Sequence, residues 1–88
     1  MFENETQVAW QAMPQNAPVV ASDGSEIGTT EKLLGDLDED IFHGVVIRRG
    51  DGKFVEISAQ RIKRMTPHHV VTDLQANEAE ALPPYKGR

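Results

Sequence analysis

Residues 41–58 set two strand-forming runs around a connection too short for anything but a hairpin. Ile41-Phe42-His43-Gly44-Val45-Val46-Ile47-Arg48-Arg49 is the segment richest in β-branched and apolar residues, side chains that fit a pleated, half-buried surface. Gly50-Asp51-Gly52 follows, then Lys53-Phe54-Val55-Glu56-Ile57-Ser58. Glycines in so tight a link supply the positive φ that hairpin turns require. Val55 and Ile57 fall on one side of the second run, Glu56 and Ser58 on the other, which is the period of a strand with one buried face. Phe54 breaks that alternation and is expected to cover an edge or an end of the sheet.

Shorter segments repeat the theme. Val19-Val20-Ala21-Ser22 ends in Asp23-Gly24, a turn signal, because Gly tolerates φ > 0 and Asp bonds its own backbone. Ile27–Leu34 then returns as the second strand of a hairpin. Ile62–Met65 reads as a strand or a turn of helix, Thr66-Pro67 interrupts it, and His68–Thr72 reads as a last strand centred on Val70 and Val71. From Asp73 to Leu82 the composition favours helix, with Asp73 as N-cap and Pro83-Pro84 as the stop. These spacings leave no room for βαβ crossovers. The expected fold is all-β (mainly β): a small barrel or curled sheet of five to six short antiparallel strands with a short C-terminal helix. The domain spans 18–85, preceded by a flexible N-terminal arm at 1–17, with Trp10 the side chain suited to dock on the body, and followed by a tail at 86–88. Gly24, Gly28 and Gly44 are expected as structural turn glycines. Val20, Ile27, Leu33, Val45, Ile47, Val55, Ile57, Ile62 and Val71 are expected inside. With 88 residues that core is thin.

Most chemistries are disfavoured. The absence of Cys excludes a disulfide framework, a thiolate zinc site and a Cys nucleophile. Ser22, Ser25 and Ser58 stand in no nucleophile elbow. Gly24 and Gly28 make no GxGxxG, and Gly50-Asp51-Gly52-Lys53 lacks Walker spacing. The chain is expected not to be an enzyme and to carry no cofactor. Asp36, Asp38 and Asp40 open like a calcium loop, but that loop needs Gly at its sixth position and Glu at its twelfth. Ile41 and Ile47 stand there, so an acidic loop is the better reading. His68 and His69 are adjacent, so on a strand they face opposite ways, and His43 is distant; a zinc site needs at least three protein ligands. No apolar run approaches the roughly 20 residues of a membrane span, and Met1–Glu5 shows no hydrophobic leader, so a cytoplasmic location is expected.

Charge is unevenly placed. Residues 1–42 hold nine acids against one base, whereas residues 43–64 hold six bases against two acids, within a net charge of −5. A basic stretch suits phosphate contacts, but Phe54 is its one aromatic, and the chain as a whole repels polyanions. Nucleic acid is therefore disfavoured as a partner.

The order of these pieces resembles PRC-barrel domains. The resemblance rests on an apolar strand followed by Asp23-Gly24, Ile27-Gly28 and a second strand; on Phe42–Ile47 with Gly44; on the hairpin to Val55–Ser58; on Ile62, Val70 and Val71; and on Ala81-Leu82-Pro83-Pro84-Tyr85. It covers residues 18–85 and points to the small stand-alone branch of the superfamily (the DUF2171 type). Similar domains form the cytoplasmic part of the photosynthetic reaction-centre H subunit and the C-terminal domain of a ribosome-maturation factor that binds a small-subunit ribosomal protein. Neither role is expected to carry over whole, since these residues include neither the H subunit's transmembrane helix nor the maturation factor's N-terminal domain. What the resemblance implies is work through protein contacts, with no catalytic residues to transfer. The expected function is thus a non-catalytic protein-interaction or adaptor module, with a protein partner or self-association. Its candidate surface is Arg48, Arg49, Lys53 and Phe54, because Arg and aromatic residues are enriched at interfaces. Leu82–Tyr85 is either a second apolar edge or a cap on the barrel. The alternatives are a nucleic-acid or ribosome-associated factor using 48–64, and a ligand- or metal-binding barrel.

Overall fold

The computed structural model describes residues 10–36 and 38–85; the arm before residue 10 and the tail at 86–88 lie outside the described residues. Six strands form one curled sheet: β1 (Pro18–Val20), β2 (Glu26–Asp36), β3 (Ile41–Arg48), β4 (Phe54–Ser58), β5 (Ile62–Met65) and β6 (Val70–Thr72), in the order β4-β3-β2-β1-β6-β5. The sheet is a half-barrel around one apolar core, the mainly β architecture the strand spacing indicates. One pairing departs from an all-antiparallel sheet: β1 runs parallel to β6, with Val19 beside Val70 and Val20 beside Val71. A parallel neighbour needs a long connection, and the four strands between β1 and β6 provide it.

Alternation decides the core. Val45, Ile47 and Ile57 are completely buried and Val55 nearly so, and the register pairs Val45 with Ile57 and Ile47 with Val55 on the inner face. Val19, Val70 and Leu74 close it from the β1–β6 side. Leu33 and Ile62 are half-buried at its margin. Val71 was expected inside but is half-buried; Val70 and Thr72 point inward instead. The phase of β6 is set by Thr72, whose hydroxyl donates to the Val20 carbonyl (3.0 Å) and accepts from the Leu74 N–H (3.2 Å). On β3, the register shift between Leu34 and Gly35 places an extra residue at His43. That bulge inverts the alternation. Phe42 therefore packs against the core margin, and Ile41 is left exposed.

The glycines fit their positions. Gly24 has φ 90° in the β1–β2 turn, where Asp23 Oδ1 accepts from the Ser25 N–H and hydroxyl. Gly28 and Gly44 lie within strands, not turns, and serve close approach: a Cβ on Gly28 would stand 2.6 Å from the Arg48 carbonyl oxygen, and one on Gly44 would run into that of Ile57.

Two segments at the ends of the domain take forms more specific than the sequence indicates. Over 73–82 the short C-terminal helix is present as a 3-10 turn, Ala76–Ala81, shorter and tighter than an α-helix over the whole segment, and its cap is Gln75 rather than Asp73. The Gln75 N–H donates to Glu78 Oε1 (2.8 Å), while Asp73 is drawn away to the Arg61 guanidinium (2.6 Å). Helix propensity alone is a weak prior, and Ala79 is the buried residue of this turn, too small an anchor for a longer helix. At the other end, Trp10–Ala17 is docked on the sheet. Trp10 stacks on Phe42 (5.4 Å between ring centroids), and Met13 and Ala17 are buried. Thr30 of β2 holds this segment: its hydroxyl donates to the Pro14 carbonyl (2.7 Å) and accepts from the Ala17 N–H (2.9 Å).

Candidate interaction surface

Directly opposed residues of an antiparallel pair share a face. Arg48 stands opposite Phe54, and Val46 opposite Glu56, so the outer face of the β3–β4 hairpin carries Arg48, Val46, Phe54 and Glu56. The Arg48 guanidinium lies 5.7 Å from the centre of the Phe54 ring, and Phe54 is 41% exposed. Arg48 also reaches Glu31 of β2 at 3.6 Å. Lys53, at the turn, is exposed.

Arg49 is placed differently. Strand alternation turns it to the opposite face, and its side chain is only 16% exposed. It binds Asp51 through both carboxylate oxygens (2.8 and 3.4 Å) and donates to the Ala79 carbonyl (2.9 Å). Arg49 therefore fastens the hairpin to the 76–81 turn and offers little to a partner. The same bonds, together with the Lys53 N–H, hold the Asp51 carboxyl below its ordinary range. This fastening forms one wall of a shallow open cleft of about 590 Å³ that also touches Glu26, Ile27 and Glu80.

Tyr85 belongs to the outer face as well, although only the expectation of a second edge at Leu82–Tyr85 pointed that way. Its hydroxyl accepts from the Lys32 amine (3.1 Å), which lies 5.6 Å from its ring centre. Lys32 pairs in register with Val46, and Val46 is almost fully buried. The outer face is thus partly closed by a side-chain bridge from β2 to the C-terminal segment.

The basic stretch 48–64 does not gather into one patch. Arg48 meets Glu31, Arg49 meets Asp51, and Arg61 meets both Asp73 (2.6 Å) and Glu78 (3.3 Å). The Gln75 N–H and then Arg61 hold the Glu78 carboxyl below its ordinary range. In the acidic loop Asp36 Oδ1 accepts from the Asp38 and Glu39 N–H groups (3.0 and 3.2 Å), so this carboxylate caps its own turn. His43 and His68 are exposed and His69 is half-buried. Among the described residues no group of three or more His, Asp or Glu is placed to hold a metal ion, and no helix is long and apolar enough to cross a membrane. No protein-family model matches the chain, and no curated protein matches it.

Proposed function

We propose that this chain is a non-catalytic protein-interaction module whose contact face is the outer surface of β3 and β4. One observation carries the reading. Phe54 takes no part in the core, stays exposed, and is held by cross-strand register beneath the Arg48 guanidinium. An aromatic–Arg pair positioned before binding loses little freedom when a partner covers it, and these residue types dominate interface hot spots. Lys53 adds a positive rim. The curled six-stranded sheet accords with the resemblance to PRC-barrel domains, which implies the same kind of work.

The test replaces Arg48, Lys53 and Phe54 together by Ala and leaves Arg49 in place, because Arg49 supports the fold. Light scattering after size exclusion reads self-association, and capture from native lysate reads other partners. The triple variant is expected to keep its far-UV spectrum and melting cooperativity and to lose the partner. A partner retained at wild-type strength shows that this face is the wrong one. Saturable turnover of any substrate by purified protein overturns the non-catalytic reading.

A further inference from the structure

β4 ends the sheet on one side. An end strand presents unpaired N–H and C=O groups to any extended chain. Here they face this protein's own C-terminal segment, antiparallel, with Pro84 opposite Val55. The Glu56 N–H donates to the Pro83 carbonyl (2.9 Å), and the Tyr85 N–H donates to the Phe54 carbonyl (3.0 Å). The Lys32–Tyr85 contact pins the far end. As a strand this segment is poor. Pro83 has no N–H to return to the Glu56 carbonyl, and Pro84 has none to offer at all. It covers the edge without completing the ladder.

We infer that the β4 edge is a strand-addition site that Pro83–Tyr85 keeps closed in cis, and that its ligand is an extended peptide carrying a basic residue opposite Glu56 and an aromatic residue opposite Phe54. The inference rests on the interaction-module reading and supplies its binding mode. The register determines the ligand. Pro83 now stands opposite Glu56 and Tyr85 opposite Phe54, and opposed side chains interact directly: unlike charges and aromatic pairs favour the match, like charges oppose it. A second copy of β4 is a poor occupant: antiparallel pairing centred on Glu56 sets two glutamates against each other, and pairing centred on Val55 sets Phe54 against Glu56, so neither register brings a basic or an aromatic match. A proline-free strand bearing Lys or Arg makes the missing backbone bond and an ion pair in one step. The tethered segment competes through its high effective concentration, so the edge opens only to a strand that binds better.

The probe is a fluorescent synthetic peptide copying residues 82–88 with Pro83→Lys and Pro84→Val. It is titrated into the full chain, into the Tyr85→Ala variant, and into a chain ending at Leu82. Affinity is expected to rise by about tenfold or more once the strap is loosened. A control peptide with Pro83→Glu is expected to bind at least about tenfold more weakly than the Lys peptide. Amide hydrogen exchange at Glu56 gives an independent reading: protection in the wild type, loss in Tyr85→Ala, recovery when peptide is added. Equal affinity for closed and loosened chains overturns the inference, as does binding that leaves the Glu56 amide exchanging freely. Exchange at Glu56 does not depend on the fate of the Arg48–Lys53–Phe54 variant, so this inference and the interaction-module reading can fail separately.

Discussion

Thr30→Val is a nearly isosteric change that removes one hydroxyl. In the native protein that hydroxyl is fully buried and bonded twice, to the Pro14 carbonyl and the Ala17 N–H. Ala17 is itself buried at 6% exposure, so its N–H has no ready replacement, and an orphaned buried donor costs about 1–3 kcal/mol. Pro14 is half-buried, so its carbonyl can turn to water, and only the net value of that bond, about 1 kcal/mol, is lost. The expected destabilisation is roughly 2–4 kcal/mol. A chain of 88 residues holds about 4–13 kcal/mol in all. The melting temperature should then fall by roughly 10–25 °C, and the urea midpoint with it at unchanged m-value. Thr30→Ser, which keeps the hydroxyl and drops the methyl, should cost about 1 kcal/mol. If Val and Ser cost the same, or if Val is neutral, the hydroxyl does not clamp the N-terminal segment and the reasoning is wrong.

Three further expectations concern the core, the hairpin fastening and acid. Ile57→Ala, at a completely buried position, should cost about 2–5 kcal/mol in denaturant titration, and Val71→Ala clearly less; equal losses would mean the phase of β6 is misplaced. Arg49→Ala should lower the melting temperature more than Arg48→Ala, because Arg49, unlike Arg48, bonds the β3–β4 hairpin to the 76–81 turn; the reverse order contradicts the assignment. Asp51 and Glu78 have carboxyls depressed in the folded state, so their contribution is present above the unfolded value, near 4, and is lost as pH falls through the lower folded values. Stability by denaturant midpoint should be level from about pH 7 to 5, then decline below about pH 4, with Asp51→Asn flattening the decline; a rise on acidification contradicts it.

The local elements were legible because their signals are local. The β3–β4 hairpin follows from alternation around Gly50-Asp51-Gly52, and Gly24 takes the positive φ that its Asp-Gly context demands. Arg49 was also within reach: two adjacent residues at the end of a strand point to opposite faces, so Arg48 and Arg49 could not share one surface. The phase of β6 was not, because Val70-Val71 is a doublet with no period of its own, and the deciding bond joins Thr72 to a carbonyl 52 positions away. Nor was the 3-10 turn. Residues 73–82 favour helix in isolation, but the competing partners of Asp73 and Glu78 lie on Arg61. The role of Tyr85 depends in the same way on Lys32, a residue 53 positions earlier.

β1 is three residues long, yet it is the strand through which two parts of the sheet are hydrogen-bonded to each other. On one side stands the β2-β3-β4 meander, on the other the β5–β6 hairpin, and both are built from short turns. In the hydrogen-bonded strand order the two parts are joined through β1, while their side chains share one core. Making that seam closes a loop of about fifty residues, at an entropic cost on the order of 3.5 kcal/mol beyond the constant for any closure. That cost leads to the expectation that the β1–β6 pairing forms after the local hairpins. Of the described strands β1 is made first; β2 pairs with it through the Asp23-Gly24 turn, but its other neighbour, β6, is made last. Ser22 N–H to the Leu74 carbonyl (2.7 Å) and Thr72 hydroxyl to the Val20 carbonyl then hold β1 against β6 and the residues that follow it.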